Sequence, residues 1–227
     1  MSVMMAGKGC VAFGDCNTEG FRTLEGPVWA QHVASALKLE LENCGHTMST
    51  TRELLEYARE FPPSAYPFVF IQYGLVDSWH TFRGAPYVLY YPDSPRRKLA
   101  RKLVKKLKKW ARHLKLQKRL GAVEVVPLDE YIENIRVVLR SAPESQFVLV
   151  ATAPNLDISR NPGIQQYNEA LSTLASEEHN ATCVDAWDDL WGQAEACLME
   201  DGTHLTSRGH RLIADRVLDA LRSETSR

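Results

Sequence analysis

The sequence predicts an α/β protein: a three-layer α/β/α sandwich around a parallel five-stranded sheet. Two observations lead there. Short apolar runs of strand length recur along the chain, and helical patterns fill the intervals between them. Strands alternating with helices are the signature of a parallel sheet covered on both faces, with right-handed crossovers. The third observation is size. A chain of 227 residues, 44% hydrophobic and 24% charged, supports one sizeable domain with an ordinary core. Residues 1–227 are accordingly read as a single domain, without internal repeats or low-complexity tracts, carrying a basic helical insertion at about 95–120.

In chain order, the first strand is Cys10–Phe13, a short apolar run that breaks at Gly14-Asp15. A helix over Pro27–Leu37 leads to a second strand at Leu39–Glu42, and a helix over Thr50–Glu60 to a third strand at Phe68–Tyr73. Helices over Pro95–Leu120 and Leu128–Ser141 precede the fourth strand, Phe147–Ala151; a helix over Gly163–His179 precedes the fifth, Thr182–Asp185. The last helix, Ser207–Ser223, has a cap in Thr206 or Ser207 and an apolar stripe of Leu212, Ile213, Val217, Leu218 and Leu221. Cys10 and Cys183 fall in strands and read as core thiols. The five cysteines are odd in number and lack Cys-x-x-Cys pairing. That predicts a reducing, cytoplasmic setting rather than a disulfide framework or zinc site. No metal or cofactor is expected. Met1–Lys8 is too short and glycine-interrupted to read as a leader, so none is expected, and no run is long enough to span a membrane.

Chemistry concentrates at the two ends. Cys16 follows the first strand in Gly14-Asp15-Cys16-Asn17-Thr18. A thiol on that turn, exposed and near the start of a helix, is expected to favour the thiolate. Near the other end, Asp201-Gly202-Thr203-His204 spaces a carboxylate and an imidazole three apart in a loop. The carboxylate can hold one ring nitrogen while the other faces a nucleophile. In a parallel sheet the loops bearing Cys16, Met48 and Gly74 follow strands one, two and three, and ligands bind outside those carboxyl ends.

Gly-Asp-Cys near the start and Asp-x-x-His near the end resemble the SGNH/GDSL hydrolases over nearly the whole chain, from Val11 to about Leu221. The resemblance implies a flavodoxin-like strand order, 2-1-3-4-5, and acyl chemistry with Cys16 in place of the nucleophilic serine, His204 as base and Asp201 as its orienter. Two blocks depart from the family pattern. Counting from Asn43, Met48 occupies the place of a glycine whose N–H enters the oxyanion hole. In Gly74-Leu75-Val76-Asp77, Val76 replaces the asparagine donor and offers no side-chain hydrogen bond. Oxyanion support is therefore expected from the N–H groups of Cys16, Met48 and Gly74, with Asp77 orienting the third loop. The Gly-x-Val-Asp form is similar to a divergent branch associated with bacterial polysaccharide gene clusters.

The resemblance implies an acyltransferase, esterase or thioesterase working through a Cys16 thioester, in bacterial secondary-metabolite or polysaccharide tailoring. Transfer from an activated donor is favoured over hydrolysis of a stable ester. The alternatives are a catalytically degenerate binding or scaffold module, and a Ser→Cys variant of a serine esterase.

Charge is unevenly placed. Residues 96–119 hold 13 of the 27 Lys and Arg and no Asp or Glu, leaving 14 basic against 28 acidic residues elsewhere, a balance of −14. Leu99, Leu103, Leu107, Trp110 and Leu114 recur there at helical spacing behind Pro95. One expectation is a helix packed by this stripe with its basic face solvated. The others are a helix on an anionic membrane surface, a dock for an acidic carrier protein, an approach to polyanionic glycan or lipid head groups, and a lid. Nucleic acid is not the expected partner, for want of a base-stacking aromatic pattern or a known nucleic-acid motif. The aromatics of Ser78–Tyr91 are expected to line an acyl or sugar pocket, to pack the basic helix, or both.

Overall fold

The computed structural model describes residues 9–21, 24–114 and 120–225. Its central sheet is parallel throughout, with strands β1 (Cys10–Gly14), β2 (Leu41–Gly45), β3 (Phe68–Gln72), β6 (Gln146–Val150) and β7 (Ala181–Val184) in the order β2-β1-β3-β6-β7. Counted within the sheet, this is 2-1-3-4-5. Alternate residues of each central strand feed opposite faces. Cys10, Ala12, Phe70, Val148 and Val150 pack with α2 (Trp29–Leu37) and the last helix, α9 (Ser207–Thr225). Val11, Phe13, Val69, Ile71, Phe147 and Leu149 pack with α3 (Thr51–Glu60), α5 (Leu128–Arg140) and α6 (Asn161–Glu177). The outcome is the three-layer sandwich.

Several elements differ from expectation. The second strand runs two residues later at its start, because pairing with β1 (Phe13 opposite Cys44, Gly14 opposite Gly45) sets it, not its own polar sequence. A small antiparallel pair, β4 (His80–Phe82) with β5 (Ala122–Glu124), flanks the long basic helix α4 (Pro95–His113). Part of the sequence-predicted Pro95–Leu120 helix lies outside the described residues. Short helices α1 (Cys16–Glu19), α7 (Trp187–Trp191) and α8 (Ala194–Cys197) were not foreseen. Cys10 is a core thiol in β1, whereas Cys183 in β7 is only half-buried.

The orientation of α4 settles one choice left open by the sequence. Leu99, Leu103 and Trp110 are 62%, 61% and 59% exposed. The helix meets the body through Ala100, Arg101, Val104, Lys108 and Ala111 instead. Arg101 fixes it by donating to Leu89 O (2.9 Å) and Tyr90 O (3.2 Å), pairing with Asp93 and lying over the Tyr90 ring. The expectation of a helix packed by its Leu/Trp stripe is thus corrected.

α3 begins with a capping box in which Glu53 reaches back to the Thr50 N–H and hydroxyl, both at 2.8 Å. The same buried carboxylate accepts from the Tyr87 hydroxyl and from the Tyr90 N–H at 2.7 Å. It ties the aromatic segment to the start of α3. No helix among the described residues is long and apolar enough to cross a membrane.

Candidate active site

The carboxyl ends of β1, β2 and β3 align, with Gly14 opposite both Gly45 and Gln72, so their following loops meet. Asp15 caps α1 by accepting from the Asn17 N–H at 2.9 Å, and Cys16 is the first residue of that helix. Asn17 then reaches across to the distant loop. Its amide donates to Thr203 O (3.3 Å), and its carbonyl accepts from the Leu205 N–H (3.0 Å). The residue after Cys16 therefore grips the residues on both sides of His204. Sequence reasoning missed Asn17; the available signal was an amide directly beside the proposed nucleophile.

His204 Nδ1 lies 2.5 Å from Asp201 Oδ2, while Asp201 Oδ1 accepts from the N–H groups of Thr203 (2.9 Å) and His204 (3.0 Å). Burial raises the Asp201 carboxyl, but the backbone donors and the imidazole outweigh it and hold the group below its ordinary value. The turn needs Gly202, whose φ is 73° and where a Cβ would come 2.9 Å from the Leu156 side chain. Phe21 stacks on the His204 ring, with centroids 4.0 Å apart. Asn155 also ties in, donating to Thr203 Oγ1 at 3.0 Å. The base loop is anchored behind by α9, capped through Thr206 Oγ1 to the Gly209 N–H. His210, in the same block, is buried and accepts from the Trp29 N–H; burial pushes it down to about 4.

Cys16 departs from the expectation of an exposed thiol poised as thiolate. It is 6% exposed and packs with Leu75 and Ile164, flanked by Trp79 and Trp187. Burial, and then the charge of neighbouring Asp15, push the thiol far above its ordinary range; the N–H groups of Cys16 and Asn17 offset this only partly. A four-residue helix with an acid as its cap offers little positive potential. Asp15 itself is raised to about 7, chiefly by burial.

The second loop is pinned to the first. Ser49 Oγ donates to Gly14 O at 2.8 Å, and the His46 N–H donates to the same oxygen at 3.0 Å. Between them Met48 has φ 67°, a left-handed backbone held by a residue with a side chain. In the third loop Asp77 is fully buried. It accepts from Thr51 N (2.9 Å), Thr51 Oγ1 (2.8 Å) and Gly74 N (3.2 Å), and burial raises it to about 6. The Gly74 N–H is thereby engaged by Asp77. Met48 and Val76 face a cavity of about 510 Å³ between α4 and the body, walled by Trp79, Phe82, Tyr87 and Tyr90 with Arg101, Lys105 and Lys108 of α4 at its basic side. The aromatic segment thus both lines a pocket and receives the helix.

A model of the GDSL-like lipase/acylhydrolase family matches residues 12–212. Among solved structures, the acetylxylan esterase Axe2 from Geobacillus stearothermophilus superposes with TM-score 0.62 at 18% identity, covering 95% of this chain and 94% of that one. Two further structures of that esterase are catalytic mutants, one at an aspartate and one at a histidine three positions later. An α/β hydrolase from the metagenome of Lake Arreo, Spain, gives TM-score 0.62 at 20% identity, with 95% of each chain covered. At such identities the likeness speaks for the fold. The comparison with curated proteins gives no match. On the family match over most of its length, the chain belongs to the GDSL-like lipase/acylhydrolases, the SGNH hydrolases.

Proposed function

We propose that the protein is an acyl-transfer enzyme in which Cys16 is the nucleophile, His204 the base and Asp201 its orienter. The observation that carries this reading is the Asn17 bridge, which joins the turn of Cys16 to both neighbours of His204. The Asp201–His204 pair supports it, as does the Asp/His spacing of the catalytic mutants of the acetylxylan esterase. With the Asp201 carboxylate on Nδ1, Nε2 is the ring nitrogen left to take the proton of the thiol.

The raised thiol sets the character of the first step. Cys16 waits neutral, as a serine hydroxyl does, and gives its proton to His204 Nε2 while its sulfur forms the C–S bond. The carbonyl electron pair moves onto oxygen, which rests on the N–H groups of Cys16 and Met48. The oxyanion collapses, the donor's alkoxide or thiolate departs, and it takes the proton from His204. The thioester left on Cys16 passes its acyl group to an acceptor hydroxyl, amine or thiol whose proton goes to His204 and then back to sulfur. Val76 supplies no oxyanion donor and Gly74 is engaged, so hydrolysis of stable esters is slow and activated donors are preferred. The apolar, aromatic cavity, lined by Trp79 beside Cys16 but by neither Cys16 nor His204, is the proposed receiver of the acyl or sugar portion, delivered as a small molecule or on a carrier. A polysaccharide or secondary-metabolite hydroxyl is the proposed acceptor class, and a reducing cytoplasm would keep the thiol available.

Intact mass spectrometry after incubation with short acyl thioesters tests this. A mass increase matching the acyl group, lost in Cys16→Ala and strongly slowed in His204→Ala, is expected; no adduct at Cys16 would overturn the reading. The buried, raised thiol also favours a second reading, a binding module with a dormant site. That reading expects ligand binding in the cavity, unchanged in Cys16→Ala, and no adduct. A Ser→Cys variant of a serine esterase would instead show rapid ester hydrolysis in Cys16→Ser.

A further inference from the structure

The outward stripe of α4 has no role in the chemistry above. Leu99, Leu103, Leu107 and Trp110, with Leu114 one residue past the helix, form one continuous apolar line about 22 Å long. At 3.6 residues per turn the helix has three faces. Ala100, Arg101, Val104, Lys108 and Ala111 meet the body, the Leu/Trp line stands about a third of a turn away, and exposed Lys98, Lys102, Lys106 and Lys109 form a ridge along its far side. The remainder of the chain, with its balance of −14, opposes this +13 segment.

We propose that α4 is a docking surface for an anionic phospholipid bilayer, lying in the plane of the interface with its Leu/Trp line among the acyl chains and its lysines at the head groups. The arrangement of an apolar line beside a lysine ridge matches what an interfacial helix needs: buried Leu and Trp, and ammonium groups reaching the phosphates. The charge division orients the molecule, because the acidic body is repelled by the surface that attracts α4. A second copy of the chain is a poor occupant, since pairing two α4 helices would set ten basic residues against ten with no acid on either side. The stripe is a convex helix flank and not a groove, which suits a deformable lipid surface more than a shaped protein.

The test is sedimentation of the full chain with vesicles of phosphatidylcholine alone or with about one-third phosphatidylglycerol. At least about tenfold tighter binding to the anionic vesicles is expected, with about a tenfold loss in Leu99→Gln/Leu103→Gln, which keeps the charge and alters only exposed positions. Brominated lipid should quench the parent more than Trp110→Phe. Cys16→Ala must bind as the parent does, which separates this surface from the chemistry. Equal affinity for both vesicles, or an unchanged Leu99→Gln/Leu103→Gln double variant, overturns the proposal. So does a chain that ignores vesicles yet binds an acidic acyl carrier protein through the same leucines, since that would make α4 a protein dock.

Discussion

Replacing Asp15 by Asn isolates the electrostatic load carried beside Cys16. Asp15 is 2% exposed, and burial raises its carboxyl from 3.8 to about 7. The sign follows from proton binding. Between these values the folded state holds a proton that the unfolded state has released, so stability falls as pH rises through the window. At about 1.4 kcal/mol per pH unit of difference, the loss between pH 5 and pH 8 is about 2–3 kcal/mol. His210 runs the other way. Its folded value of about 4 lies below 6.5, so stability is lost as pH falls from 6.5 towards 4. Asp77, raised to about 6, adds to the loss from Asp15, so the parent's own pH curve mixes several groups and the readout is the difference between the parent and Asp15→Asn. Asparagine keeps the cap on Asn17, so the fold is retained. Urea unfolding at steps from pH 5 to 8 should show the variant gaining on the parent as pH rises, by about 1 M in midpoint at the top. A difference that stays flat across this range would refute a buried, high-lying Asp15.

Other perturbations bear on the loops and the helix. Asn17→Ala should cut acyl-enzyme formation by about a hundredfold with little change in stability above about 1–2 kcal/mol, because it releases the loop of His204 from that of Cys16; single-turnover mass spectrometry reads the rate. At Met48, whose φ is 67°, the usual order should reverse: Met48→Gly should exceed Met48→Ala by about 1 kcal/mol in urea unfolding, since only glycine escapes the left-handed strain. Arg101→Ala should loosen α4 from the Tyr90 segment, seen as faster limited proteolysis within residues 95–113, with the sheet's hydrogen exchange unchanged.

The sheet was legible where strands are buried on both faces. Val11–Phe13, Val69–Ile71 and Phe147–Val150 read as continuous apolar runs because both neighbours and both helical layers cover them. β2 was misplaced because Leu41-Glu42-Asn43-Cys44-Gly45 is a polar edge whose position comes from its partner. The β4–β5 pair joins three-residue strands some forty residues apart, a contact no local pattern contains. The motifs around Cys16 and His204 were visible as residue types at fixed places. The burial of the thiol was not, since Leu75, Trp79, Ile164 and Trp187 arrive from three separate segments. Amphipathic spacing in α4 revealed an apolar line but not its direction, because the stems of Arg101 and Lys108 pack as apolar surface.

Glu53 gives the cavity an unusual dependence. One carboxylate closes the first turn of α3 and also holds Tyr87 and Tyr90 in the cavity wall. Fraying of α3 and loosening of that wall are thus a single opening event rather than two. A molecule that fills the cavity should slow amide exchange at Glu53 and Leu54, on the opposite side of the wall from where it sits, and the beginning of a helix becomes a remote gauge of occupancy.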